Sequence, residues 1–367
     1  MVIARRALVL ASIVALLGSA TLAAQRGNTA QGGGRGGRGG GGLTEAQRKA
    51  IQAITALADE AAAGRPAPND MSLAWVHDDV LKVAQEGQAF VPFIVTIDPS
   101  KVAPGPVSVY WRVVSKNAPP APPPSSDKDK KNDKKAPTPP PSFAYEALTS
   151  ATVAAGQQPM RISRSFTTLS GNYDVYVVVK EGLPTGDNKK PDKNAPAPKA
   201  SVIRQPITVP DLWNGELNTS SVIIAEKLEP LPAPLSAQEK INRPYALGGI
   251  EIIPYTRTKF AKKEELDAFI LIYNAKTDAA SQPDVKVEFN FYSKLAGGEK
   301  FFNSTLPANL NGQTLSAQDL AAGQLQAGQA VPLASFPEGD YRLEIKVTDN
   351  VAKKELKRDV NFSVTGS

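Results

Sequence analysis

The sequence predicts a mainly β protein: two tandem antiparallel β-sandwich domains with one N-terminal amphipathic helix. Three observations carry this prediction. Near the C-terminus Tyr341, Leu343, Ile345 and Val347 alternate with Arg342, Glu344 and Lys346, and Val360, Phe362 and Val364 repeat the alternation. A period of two marks a strand with one buried face, so residues 336–364 read as a hairpin closing a sheet. A weaker copy, Gly171 to Val179 followed by Val202 to Val209, occurs in the first half of the chain. Most of what remains is short alternating runs bounded by Gly, Pro, Asn and Asp, the texture of a two-sheet sandwich.

Residues 1–24 read as a secretory signal peptide. Arg5 and Arg6 form a basic start, Ala7 to Leu17 an apolar run, and Thr21 to Ala24 a small-residue cleavage region. The run is short for a membrane span, although a retained single-pass anchor is the alternative. Residues 25–42 are mostly glycine with three arginines and cannot bury enough apolar surface to fold, so they read as a disordered tether. Residues 43–64 carry the helix. Thr44-Glu45-Ala46-Gln47 is a capping box, and Ala50, Ile51, Ile54, Leu57, Ala58 and Ala61 form a narrow stripe at helical spacing. Gly64 and Pro66 end it.

Residues 70–210 read as the first sandwich. Its expected strands are Val80 to Gln85, Phe90 to Ile97, Val107 to Val113, Phe143 to Leu148, Arg161 to Thr168, Gly171 to Val179 and Val202 to Val209. Two Lys/Pro loops, 117–142 and 182–200, interrupt it as solvated, disordered segments that no strand could cross. Residues 211–249 read as a Pro-rich connector with a possible strand from Ser221 to Ala225 and a capping box at Ser236 to Glu239. Residues 250–367 read as the second sandwich, with strands at Ile250 to Tyr255, Leu266 to Asn274 and Val285 to Tyr292, a long loop over 303–330, and the C-terminal hairpin.

The two runs of strands can be superposed in sequence. Phe90–Ile97 matches Ala268–Asn274, Val107–Val114 matches Val285–Tyr292, and Val153–Gln157 matches Leu320–Gln324. Gly171-Asn172-Tyr173 matches Gly339-Asp340-Tyr341, and Pro206–Val209 matches Asn361–Val364. Five matches in one order predict a tandem duplication.

Charge and cysteine content narrow the function classes. The formal net charge is +6, but it lies in the leader, the glycine tract and the two Lys/Pro loops, leaving the remainder net acidic. Basicity confined to low-complexity segments argues against nucleic acid as a partner. There is no cysteine, hence no disulfide framework, thiolate chemistry or lipid-anchoring cysteine. Beyond the leader no stretch approaches the roughly 20 apolar residues of a membrane helix.

The Gly-x-Tyr that opens the penultimate strand of each copy resembles the tyrosine corner of immunoglobulin-like and fibronectin type III domains. Trp111 on the third strand resembles their core tryptophan, with Phe289 in its place in the second copy. The likeness implies fold only: Trp111, Tyr173, Phe289 and Tyr341 as structural residues, without the cysteine pair of antibody domains. The C-terminal Pro-x-Gly-x-Tyr-x-Leu-x-Ile-x-Val-x-Asp is also similar to the ends of uncharacterised exported bacterial proteins, which implies no activity.

Catalytic constellations are sparse. His77 is the single histidine and stands beside Asp78 and Asp79, a poor set for a triad or a metal. Adjacent carboxylates such as Asp78-Asp79 and Glu264-Glu265 face opposite sides of a strand and cannot cooperate as acid and base. No catalytic, cofactor-binding or metal residue is therefore assigned, and no cofactor is expected. Tyr110, Tyr176 and Tyr292 project opposite the apolar rows of their strands; they form a possible binding surface or pack on the helix, the connector or the sister domain. The expectation is a non-catalytic exported binding or scaffolding protein, periplasmic or extracellular, whose partner is a protein or cell-envelope component. The alternatives are a hydrolase with an interdomain carboxylate site, or an accessory subunit docking through helix 44–63.

Overall fold

The computed structural model describes residues 43–117, 143–156, 158–184, 197–247, 249–316, 320 and 323–366. The leader, the Gly/Arg tract and most of both Lys/Pro loops lie outside them. Helix α1 spans Glu45–Ala62. The Thr44 hydroxyl accepts from the Gln47 amide at 3.1 Å, and the Gln47 side chain accepts from the Thr44 amide at 2.9 Å. These bonds satisfy two orphan donors of the first turn.

The strands of the first half are β1 (Ala74–Asp78), β2 (Leu81–Lys82), β3 (Gln88–Ile97), β4 (Gly105–Ser115), β5 (Tyr145–Val153), β6 (Met160–Leu169), β7 (Gly171–Glu181) and β8 (Ala200–Val209). They build two sheets. Sheet I has the order β5-β4-β7-β8; in sheet II β3 pairs with β6 on one side and with β1 and β2 on the other. The first strand is not Val80–Gln85, as the apolar residues there imply. It is β1, upstream, where Trp75 stacks on Phe93 with ring centroids 4.6 Å apart.

The second half contains β9 (Asn218–Thr219), β10 (Ile223–Pro230), α2 (Ala237–Asn242), β11 (Ala246–Leu247), β12 (Ile250–Pro254), β13 (Lys259–Ala261) and β14 (Glu265–Tyr273). It continues with β15 (Asp284–Leu295), β16 (Gly298–Ser304), β17 (Ala308–Asn311), β18 (Gln324–Pro332), β19 (Gly339–Asp349) and β20 (Lys354–Thr365). Sheet III runs β11-β12-β10-β14-β18 with β9 also on β14; sheet IV runs β13-β20-β19-β15-β16 with β17 also on β15. Pairing between these strands is antiparallel except between β13 and β20; a single parallel bridge also joins Val107 to Gly182. The segment read as a connector thus contributes β10 to the middle of sheet III, and the expected loop 303–330 contains β17 and most of β18. The prolines at 230, 232 and 234 mask the first, and the Gln, Ala and Gly of β18 carry little β propensity.

The copies pair in equivalent registers. Ser108 lies opposite Lys180, and the matching Lys286 lies opposite Thr348; Gly171 faces Val209 as Gly339 faces Val364. One match has no fixed phase, because the eight residues of Phe90–Ile97 are laid on the seven of Ala268–Asn274. Phe93 points into the first sandwich toward Trp111. Counted from the start of the match it meets Leu271, which shares the core of Phe93; counted from the end it meets Ile270, which faces the interior of the second sandwich. The physical reason is that β14 is buried on both faces, so its apolar pattern has no phase. Leu266, Ala268, Ile270 and Ile272 face Phe289 and Phe291, while Phe269, Leu271 and Tyr273 turn to the other side. There, sheet III covers the outer face of sheet II. The result is a stack of α1 and sheets I, II, III and IV, whose middle layers join the two halves by apolar packing.

Candidate binding surface

Each structural residue expected from sequence lies in a core. Trp111 is buried between sheets I and II, and its indole donates to the Ser165 carbonyl at 3.1 Å. Phe289 is buried between sheets III and IV. The Tyr173 hydroxyl donates to the Leu169 carbonyl at 3.0 Å and the Tyr341 hydroxyl to the Pro337 carbonyl at 2.8 Å.

The outward tyrosines of the first copy are covered. Tyr110 and Tyr176 are 2% and 5% exposed, and with Val178 and Val202 they receive Ile54 and Ala58 of α1. Arg112 fixes the helix: its guanidinium donates to Asp59 at 2.5 Å and to the Tyr110 hydroxyl at 2.7 Å, and lies 4.0 Å from the Phe143 ring centre. Burial, reinforced by the bond to Glu146, pushes the Tyr110 phenol far above its ordinary value. Neither Tyr110 nor Tyr176 is available as an open surface. The structure instead uses both as a floor for α1, because small Ala58 lets the helix approach closely.

The matching face of the second copy differs in chemistry. By the repeat, Tyr110, Tyr176, Val178 and Val202 correspond to Glu288, Glu344, Lys346 and Lys357. No helix of the described residues lies there. Phe301, Tyr292, Arg342 and Asn361 form one row across β16, β15, β19 and β20; Ser304, Asn290, Glu344 and Asp359 form the next. Four strands at the usual spacing make this face roughly 15 Å wide. Phe301 is 53% exposed and stands edge-on to half-buried Tyr292, with centroids 5.8 Å apart. The Arg342 guanidinium lies 4.4 Å from the Tyr292 ring centre. It is held by Glu299 at 2.8 Å, Asp359 at 2.6 Å and Glu344 at 3.4 Å. Burial works to raise the Glu344 carboxyl, but Lys357 at 3.1 Å and Arg342 outweigh it and hold the group below the usual carboxylate range. The rest of the lattice is Lys346–Glu355 and Lys286–Glu288. Cation, ring and carboxylates thus hold one another in position.

Sequence reading named Tyr292 as a possible surface residue and did not single out its neighbours Phe301 and Arg342. A signal for Phe301 was present: Gly297-Gly298 marks a hairpin, whose two-residue turn is Ala296-Gly297, and the pair Phe301-Phe302 follows. Phe302 turns inward to Phe336 and Tyr341, which leaves Phe301 outward. Arg342 gives no signal alone, because its three carboxylates come from β16, β19 and β20.

His77 and its neighbouring carboxylates lie in the packing between sheets II and III rather than in a cleft. Asp79 is 1% exposed and accepts from His77 at 2.7 Å and from the Tyr245 hydroxyl at 3.0 Å. Asp78 accepts from the Trp75 indole at 2.8 Å, and burial raises its carboxyl. The adjacent cavity, about 70 Å³ and lined by Ile94, Arg161, Ser163, Tyr245 and Glu251 among others, has room for a few waters. Among the described residues no three His, Asp or Glu side chains are grouped to hold a metal ion, and no helix is long and apolar enough to cross a membrane. No known protein family and no curated relative matches the chain.

Proposed function

We propose that this is a non-catalytic exported binding protein of the cell envelope, built from two immunoglobulin-like sandwiches (70–210 and 250–367). Residues 211–249 join the two and complete sheet III. The binding surface is the outer face of sheet IV, and its ligand is a partner protein. One observation carries the reading: the two copies present equivalent outer faces, and α1 occupies one of them in cis while the other, among the described residues, is left uncovered with Phe301, Tyr292 and Arg342 at its centre. Aromatic residues and arginine are enriched at the energetic centres of protein interfaces, and the alternating charges around them supply a polar rim with register specificity. The α1 stripe is consumed by Tyr110 and Tyr176, so docking of a partner through helix 44–63 is disfavoured. A hydrolytic site between the domains would have to use carboxylates that are already packed.

Crosslinking in intact cells followed by purification tests this. Wild-type protein is expected to retain one discrete partner, lost in Phe301→Ala and in Arg342→Glu but kept in Gln52→Ala on the exposed side of α1. Equal recovery from all four proteins contradicts the assignment.

A further inference from the structure

The segment between β1 and β2 is short and unusually well tied. A bulge between Trp75 and His77 shifts the β1 register, so that His77 falls opposite Ile94 and shares its side, the side covered by sheet III. Asp79 follows, nearly inaccessible, with one carboxylate oxygen receiving both the His77 imidazole at 2.7 Å and the Tyr245 hydroxyl at 3.0 Å. Tyr245 belongs to the other half of the chain and is itself buried. Val80 then exchanges bonds with Ser221: its amide donates to the Ser221 hydroxyl at 2.9 Å, and its carbonyl accepts from the Ser221 amide at 3.0 Å. The Lys82 amide donates to the Tyr273 hydroxyl at 3.1 Å, and the Lys82 ammonium to Asn274 at 2.9 Å while standing 4.1 Å from the Trp213 ring centre. Residues 77–82 therefore stay on β3 in sheet II while bonding to the other half of the chain, and the first of these anchors is a buried carboxylate.

We infer that His77, Asp79 and Tyr245 form a pH-responsive latch between the two halves, closed when the imidazole is protonated and loosened when it is neutral. Burial of a charged group is tolerated when a hydrogen-bonded counter-charge stands beside it, and an imidazolium at His77 supplies one that a neutral imidazole does not. The surrounding groups set the balance. Asp78 adds negative charge from the same strand end. Arg161 on β6 opposes protonation but is itself paired with Glu226 on β10 at 3.0 Å. Arg243 and Glu251, on the same cavity, are paired with each other. Burial disfavours the imidazolium, and the bond and charge of Asp79 outweigh it, so the His77 value lies above 6.5. A group raised in the folded state contributes its full stabilisation below the unfolded value and loses it as pH rises through the folded value. The latch is thus tight in mild acid and weakens toward alkaline pH.

The single histidine makes the test direct. A proton NMR titration of the full chain reads one imidazole, expected to titrate with a midpoint above 6.5. Asp79→Asn should bring the midpoint to 6.5 or below. Hydrogen exchange at Ser221 and Tyr245, corrected for intrinsic pH dependence, should rise several-fold across the same titration and stay flat in His77→Gln. Tyr245→Phe, which leaves both halves their apolar packing, should keep the raised midpoint and lose the pH dependence of exchange. A wild-type midpoint at or below 6.5, or exchange that ignores the titration, overturns the latch.

Discussion

Tyr173 and Tyr341 make the same bond in the two copies: each phenol donates to the carbonyl four residues before it, Leu169 at 3.0 Å and Pro337 at 2.8 Å. The glycines two residues before them, Gly171 and Gly339, adopt φ of +150° and +148°, values that L side chains rarely take. Turn, glycine and hydroxyl form one corner that starts the penultimate strand at a fixed angle. Tyr341→Phe should cost about 1 kcal/mol by denaturant unfolding, the net value of one partly buried hydrogen bond. No change would show that the corner is held by ring packing on Phe336 and Phe362 alone.

Trp111 combines burial with a bond that crosses the sandwich to Ser165. Trp111→Ala should lower stability by about 3–5 kcal/mol, the range for losing a large core aromatic. A loss under about 1 kcal/mol would mean that Phe93 and Tyr145, its ring neighbours, close the space.

Helix α1 rests on a thin apolar contact and one ion pair. Ile54→Asp places a carboxylate on the Tyr110 and Tyr176 floor and should undock the helix while the first sandwich stays folded. The expected reading is lost hydrogen-exchange protection over residues 45–62 with protection of β4 and β7 retained. Simultaneous loss of both would make α1 an integral layer of that domain rather than a cover.

The lattice on sheet IV has its own acid limit. Glu344 is held below the usual carboxylate range, so its contribution is present above the unfolded value, near 4.5, and is lost as pH falls through the lower folded value. Acid titration should therefore destabilise the second sandwich mainly below pH 4.5, and Lys357→Gln should move that loss upward. An unchanged acid profile in Lys357→Gln would show that Arg342 alone sets the Glu344 carboxyl.

Strands with alternating patterns were legible: β4, β7, β15, β19 and β20 fall where a period of two places them, although α1 covers the outer face of β4 and β7. Sheet III was legible only in part. Strands were expected at 221–225, 250–255 and 266–274, where β10, β12 and β14 run. The prolines at 230, 232 and 234 that close β10 hid its length, β14 is apolar on both faces because it serves two interiors, and β18 is mostly Gln, Ala and Gly. A strand between two cores has no phase to read. The same physics hid the surface. Tyr110, Tyr176 and Tyr292 look alike in sequence, since each stands opposite an apolar row, and only the placement of α1 separates the two covered rings from the open one. Arg342 depends on partners from three strands, a conjunction that register creates and spacing does not display.

The account stands on the open face of sheet IV. A photo-crosslinking residue at Phe301, compared in intact cells with the same residue at Gln52 on the outer side of α1, tests it most directly. A discrete adduct from position 301, absent from position 52 and abolished by Arg342→Glu, is the predicted result. Adducts from position 52 alone, or none from position 301, would contradict it.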